Sequence, residues 1–493
     1  MSNSVRDLEP KELWNHFADL NSIPRPSKKE ERVIAFIKKF GESLQLPGSV
    51  DEAGNVIIKK PASKGMENKV TIVLQSHLDM VHQKNADTDF NFDNEGINML
   101  VEGDWVKAKG TTLGADNGIG VASIMALLCS TDIPHPAIEA LFTIDEETGM
   151  TGAMELKGGL LDADILLNLD TEEDNELTIG CAGGIDVTAS GTYTADASLK
   201  DSTFFSISLS GLTGGHSGVD IHKGRANANK LMNRVLTTLV KDCKINIVSI
   251  DGGSLRNAIP RESVAIISVA KEQADAVKKM IEEYNNILNA EYSFTDANLL
   301  LSIENAEAVS TTLPTLFQEQ LLRALYACPN GIYRMNPEIE GLVQSSNNIA
   351  KVLVKDGKWS VQCLTRSSVD TEKTDLAQSI SSAFELAGGC IDFNGSYPGW
   401  KPKPDAPIVT IMADLYKKMF DKPVRINAVH AGLECGILGT NYPEMQMISF
   451  GPNIYGAHSP DEKVQISSVQ KFWKYLLKVL EEIPEHVKEV SKV

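Results

Sequence analysis

Two imidazoles and five carboxylates stand out in this chain because each closes an apolar segment: His77 and Asp79 in His77-x-Asp79, then Asp116, Glu146-Glu147, Asp170 and His458. Imidazole nitrogen and carboxylate oxygen are the ligands of catalytic zinc, which keeps one position open for water. Two ions about 3.5–4 Å apart need a bridging carboxylate besides terminal ligands. Asp116 suits the bridge, since it lies in the glycine-bracketed turn Gly114-Ala-Asp-Asn-Gly118 at a helix start. This spacing predicts His77 and Asp170 on one ion, Glu147 and His458 on the other, and Asp116 across both. Asp79 is expected to bind no ion but to orient His77 through its other ring nitrogen. Glu146, beside a ligand yet unligated, is the expected general base. Adjacent side chains on an extended backbone point in opposite directions, so Glu146 and Glu147 require a turn, which Thr148-Gly149 supplies.

Each piece alone has a plainer reading. A His-x-Asp pair is commonly a surface or capping pair, a Glu-Glu doublet a solvated patch, an Asp before a helix an N-cap. Asp170 also opens the acidic run Asp170-Thr-Glu-Glu-Asp174, which as a loop needs no function. Order and position favour metal binding for the set.

The elements that must position these groups read as alternating strands and helices. Residues 70–75, 138–144, 164–169 and 445–450 read as short apolar strands, and 118–128 as a helix. Ser27-x-x-Glu30 reads as a capping box opening a helix with Val33, Ile37 and Phe40 buried. The expected fold class is α/β: a mixed central sheet covered by helices, with site residues just beyond the carboxyl ends of strands. Between about 203 and 394 the order strand, helix, strand, strand, helix occurs twice, which predicts an inserted α+β lid of two tandem open-faced sandwich modules. Gly183-Gly184 and Gly395-Ser-Tyr-Pro-Gly399 read as hinges. The expected division is a discontinuous catalytic domain, 1–184 and 400–493, with a lid over 185–399.

Composition bounds the function. The 493 residues exceed one core, and 42% hydrophobic with 23% charged residues is ordinary globular composition. A net charge of −19 argues against nucleic acid and anionic membrane surfaces. Most of it reads as a solvated acidic surface, part as charge matched by bound cations. Seven scattered cysteines, an odd number without a Cys-x-x-Cys pair, fit a reducing compartment. The first residues hold no apolar run of signal-peptide type, and no stretch approaches the roughly 20 apolar residues of a membrane span. The expected location is cytoplasmic.

His77-x-Asp79, Gly114-Ala-Asp116-Asn117, Asp145-Glu146-Glu147-Thr-Gly149, Asp170 and Gly456-Ala-His458-Ser459 resemble the signature of the co-catalytic zinc peptidases that include aminoacylase, carboxypeptidase G and carnosinase. Over nearly the whole length the chain resembles the aminoacyl-histidine dipeptidase family (peptidase D type, cytosol non-specific dipeptidases). That resemblance implies two divalent ions per chain, zinc with cobalt or manganese open, the ligand and base roles above, and a cis peptide after Asp116. It implies that His216, in Gly214-Gly-His-Ser-Gly218, stabilises the tetrahedral oxyanion. It also implies that Asn257 contacts substrate, and that Arg366, in Leu364-Thr-Arg-Ser-Ser368, clamps the substrate carboxylate. Without it, His216 reads as part of a glycine-rich turn and Arg366 as a surface arginine. Glu434 is a candidate for the substrate amine, with His430 an alternative contact. His16, His82, His135, His222 and His486 have no companion ligands and read as surface or packing residues.

The expectation is metal-assisted hydrolysis of dipeptides, Xaa-His and broader. The alternatives are an aminopeptidase, tripeptidase or N-acyl amino acid deacylase with the same centre, or a binding protein with a vestigial one. The expected partner is a small peptide, with no nucleic acid and no membrane. Homodimer and monomer both stay open.

Overall fold

The computed structural model describes residues 4–198 and 200–485. His486 lies outside them. The chain divides into two compact units, Met1–Gly180 with Pro402–Ala428 and Leu433–Val493, and Cys181–Lys401 with Val429–Gly432.

The first unit is built on an eight-stranded sheet. Its order is Gly48–Val50, Val56–Lys60, Ile138–Thr143, Ile72–His77, Ile165–Asn168, Gln446–Ser449, Glu176–Cys181 and Arg425–Val429. The four central strands run parallel, and Ile72–His77, Ile138–Thr143 and Ile165–Asn168 are buried along their whole length. Strands covered on both faces read as unbroken apolar runs, which is why they were legible. Parallel direction sends their carboxyl ends to one edge. His77 lies opposite Thr143 and Gln75 opposite Asn168, so the residues after each strand emerge together. The α/β fold with a mixed sheet is as expected.

Helix Glu31–Ser43 differs from its expected start. Its N-cap is Glu30, with no side-chain cap. Ser27 Oγ donates to the Met80 carbonyl instead, and the Glu30 carboxylate accepts the backbone N–H groups of Lys28 and Asp145. Tertiary partners took both ends of the apparent capping box.

The inserted unit is built on a nine-stranded antiparallel sheet. Leu300–Asn305, Ser202–Ser210, Ser263–Ala270 and Asn246–Gly253 continue into Val343–Lys355, Lys358–Ser367, Gly183–Thr192 and Cys390–Tyr397, and Gly331–Met335 pairs beside Val343–Lys355. The repeats fuse where Asn246–Gly253 pairs Val343–Lys355. One apolar cluster joins Ile207 and Leu209 of the sheet to Val235, Ile281, Leu325 and Ile380 of four helices. At Gly183 and Gly184 the backbone packs closely: a Cβ on Gly183 would lie 2.5 Å from the Gly399 nitrogen, and one on Gly184 2.6 Å from the Tyr397 ring. Among the described residues no helix is long and apolar enough to cross a membrane.

Candidate metal centre

His77 ends its strand with an imidazole 1% exposed. Its Nε2 lies 3.2 Å from Asp116 Oδ1 and 3.6 Å from Asp170 Oδ1, and its Nδ1 lies 3.3 Å from Asp79 Oδ1. On the other side, His458 Nε2 lies 3.3 Å from Asp116 Oδ2 and 2.9 Å from Glu147 Oε2. Asp116 therefore presents one carboxylate oxygen to each imidazole. The groups His77–Asp116–Asp170 and Asp116–Glu147–His458 each bring their ligand atoms within 4.8 Å of one another, and so does His77–Glu146–Glu147.

The local backbone explains this convergence. Helix Ala115–Cys129 starts with Gly114 at φ +70° and is non-helical at Asp116 and Asn117, whose peptide bond is cis. The bracketing glycines make room for Arg25: a Cβ on Gly114 or Gly118 would lie 2.5 or 2.7 Å from Arg25 Nη2. Asn117 donates to the Leu169 carbonyl and to Asp170 Oδ1, orienting that carboxylate. The turn that Glu146 and Glu147 need comes from Asp145, one position before them, at φ +53°. Its carboxylate accepts the Thr148 and Thr151 hydroxyls. The Glu146 and Glu147 N–H groups then both point at the Asp79 carboxylate, at 3.0 and 3.2 Å.

Crowding shifts the charges. Burial opposes an imidazolium at His77, yet Asp170, Asp116 and Asp79 raise it well above its ordinary value. Hydrogen bonds to Asp116 and Glu147 push His458 up to about 11. Burial, reinforced by neighbouring carboxylates, raises Glu146 and Asp170 well above the usual range, while His77 works against it. Desolvation opposes the charge on Asp116 too, but the His458 and His77 hydrogen bonds hold it low. Glu147 Oε1 is buried without a partner. Two imidazoles, three carboxylates converging on them and an orphaned carboxylate oxygen suit two oxygen- and nitrogen-seeking divalent cations, each ring giving up a proton on ligation.

Several neighbours carry no sequence signature of this kind. Glu462 accepts four consecutive backbone N–H groups, Leu113 to Asp116. Arg25 is 1% exposed and donates to the carbonyls of Leu78, Asp79 and Gly114. Glu172 is pushed to about 8 by burial and then by Asp116. Gln75 and Thr143 donate to Glu434 Oε2 at 2.6 and 2.7 Å. A glutamine inside the apolar run 70–75 was the available signal for that contact.

Glu434 lies in the first unit, fully buried, with Oε1 lacking a partner. Burial raises it to about 7, against the pull of His77. The other three candidates sit in the inserted unit. His216 lies in the two-residue strand Gly215–His216, paired to Ala258–Ile259. Its Nδ1 accepts the N–H groups of Gly218 and Val219, which places a neutral ring's proton on Nε2. The Asn257 carbonyl accepts the Ser217 N–H at 2.7 Å. Arg366 is buried, donates from Nη1 to the Tyr397 hydroxyl at 2.7 Å, and leaves Nε without a partner. His430, also in the inserted unit, is 2.7 Å from Ser346 Oγ. Burial and then Arg366 lower it to about 3. His16 and His82 pack edge-on to Phe40 and Phe92, and His135 Nδ1 bonds the Pro136 carbonyl.

Residues 207–296 match the family described as a peptidase dimerisation domain. The chain is 42% identical over 482 residues to the cytosol non-specific dipeptidase of Escherichia coli strain K12, covering 98% of this chain and 99% of that one. The structure resembles the aminoacylhistidine dipeptidase of Vibrio alginolyticus with a TM-score of 0.91 and 44% identity, covering 98% and 99% of the two chains. It shares its fold with the aminopeptidase PepT of Bacillus cereus at a TM-score of 0.56 and 16% identity, covering 97% and 99%.

Proposed function

This chain belongs to the cytosol non-specific dipeptidase family of peptidases, and from that membership we propose that it hydrolyses dipeptides at a centre of two divalent cations. The reading is supported above all by Asp116, whose two carboxylate oxygens face different imidazoles. His77 and Asp170 would hold one ion, Glu147 and His458 the other, and Asp116 both. Zinc is the expected metal. Bound there, the ions would polarise the scissile carbonyl and make water a nucleophile near neutral pH.

The chain's own groups carry the remaining work. Glu146, half-buried and raised toward protonation, takes the proton of the attacking water and delivers it to the leaving amine. Asp79 fixes His77 through Nδ1 and the backbone of Glu146 through Oδ1. The inserted unit is proposed as a lid, and Asn257 as a substrate contact. His216 is proposed to donate from Nε2 to the developing oxyanion. Arg366 would pair with the substrate carboxylate, and Glu434, with an unused oxygen, with its amine. The matched dimerisation segment makes a homodimer the assembly to test by sedimentation, and a cytosolic location follows the relative's description.

The decisive experiment reconstitutes the protein with zinc and assays free dipeptides, tripeptides and N-acylated amino acids side by side. Turnover of free dipeptides, Xaa-His among them, with loss of rate on blocking either terminus is expected. Preference for N-acylated substrates would make it a deacylase, and inertness toward all three would remove the enzyme reading.

A further inference from the structure

We propose that Glu462 and Arg25 are positioning residues that set the Asp116 bridge, one accepting from and the other donating to its backbone loop, a role that rests on the two-cation reading above. Glu462 is 3% exposed and stands four residues after His458. Its Oε2 accepts the N–H groups of Leu113 and Gly114 at 2.6 and 2.9 Å. Its Oε1 accepts those of Ala115 and Asp116 at 2.8 and 3.2 Å. A carboxylate that meets four consecutive backbone donors has committed both oxygens to the loop. It acts on the loop's shape.

Arg25 holds the same loop through its other polarity. Nη2 donates to the Gly114 carbonyl at 2.6 Å and to Asn21 Oδ1 at 3.0 Å, while Nη1 donates to the Leu78 and Asp79 carbonyls at 3.0 Å each. One planar guanidinium thus ties the backbone next to His77 to the residue two before Asp116. Glu462 ties the turn that carries His458 to Asp116 itself. That turn is closed by Ser459 N to Gly456 O and Glu462 N to Ser459 O. Both imidazole-to-Asp116 distances, 3.2 and 3.3 Å, are therefore fixed through this pair. A displaced loop would shift the bridge relative to both rings at once.

Glu462→Gln tests this, because it turns one acceptor into an NH2 group facing two N–H donors while keeping size. Metal-depleted full-length protein is titrated with Zn2+ and Co2+ by calorimetry, and the Co2+ protein is followed by visible absorption. Cation affinity is expected to fall about 10- to 100-fold, the usual effect of losing a residue that supports ligands, with an altered Co2+ spectrum. Thermal unfolding of the metal-depleted variant should stay a single transition. Wild-type affinity and spectrum in a folded variant would overturn the proposal. If wild-type protein itself fails to take up two ions, the two-cation reading fails instead. Glu462→Asp and Arg25→Lys carry the same expectation should Glu462→Gln not fold, and unfolding of all three would assign the pair to global stability and overturn the role.

Discussion

Asp79 Oδ1 accepts the backbone N–H of Glu146 at 3.0 Å while standing 3.3 Å from His77 Nδ1. One carboxylate thus couples the His77 ring, a proposed ligand, to the segment that carries Glu146, the proposed general base. Asp79→Asn keeps the shape but must turn an NH2 group toward either His77 and the Glu146 N–H or the Glu147 N–H. The expected outcome is a 10- to 100-fold fall in kcat/KM, as for other supports of metal ligands, with a smaller change in ion content. Unaltered kinetics in a metal-loaded variant would show that the coupling is idle.

Asp116 is proposed to bridge two ions and Glu146 to act as base without binding either, so their substitutions should separate. Asp116→Ala removes the oxygen facing each imidazole, so plasma emission should find both ions lost together with activity. Glu146→Ala should keep both ions and lose turnover by about 100- to 10,000-fold, the span of general acid–base catalysis. One ion retained in Asp116→Ala would assign the bridge elsewhere.

What the sequence made legible was the set of residues that end secondary structure. Ile72–His77 and Ile165–Asn168 are buried on both faces, so their apolar runs announce where His77 and Asp170 emerge. Glu462 left no such mark, because its partners are backbone N–H groups about 350 residues earlier. Arg25, between Pro24 and Pro26, has no local pattern that marks it, although it fills the space beside Gly114 and Gly118. Ser27 and Glu30 carried a helix-start signature that contacts with Met80 and Asp145 overrode. Local pattern reports what a residue type does near its own backbone, and these four act on distant backbone. The fusion of the repeats into one sheet depends likewise on a non-local pairing of Asn246–Gly253 with Val343–Lys355.

Glu434 should make the metal-depleted protein sensitive to pH. Burial raises its carboxyl from 4.5 to about 7, so the folded state binds this proton more tightly than the unfolded chain. The contribution is present in full below 4.5 and is lost as pH rises through about 7. That gap corresponds to about 3 kcal/mol. Urea unfolding of Glu434→Gln should therefore match wild type near pH 4.5 and exceed it in stability at pH 8 by up to about 3 kcal/mol. If Glu434 also holds the substrate amine, the same variant loses kcat/KM on free-amine dipeptides. A stability difference that is flat from pH 4.5 to 8 would contradict the burial argument.

Arg366 gives the sharpest test of the proposed contact with the substrate's carboxylate. Its Nη1 is occupied by the Tyr397 hydroxyl, whereas Nε is buried without a partner. A guanidinium with an unmet donor in a buried place is suited to a carboxylate, which would accept from the fork in a fixed orientation. Lysine keeps the charge but not the fork. Arg366→Lys should therefore lose a charged hydrogen bond of about 1.5–3 kcal/mol, roughly 10- to 100-fold in kcat/KM on free dipeptides. Dipeptide amides, which lack the carboxylate, should be hydrolysed by wild type and variant at similar low efficiency. Tyr397→Phe separates the arginine's bond to Tyr397 from its proposed contact with substrate, since it removes the hydroxyl and leaves the guanidinium. If Arg366→Lys lowers kcat/KM equally for dipeptides and their amides, the arginine supports the inserted unit and does not read the substrate's terminus.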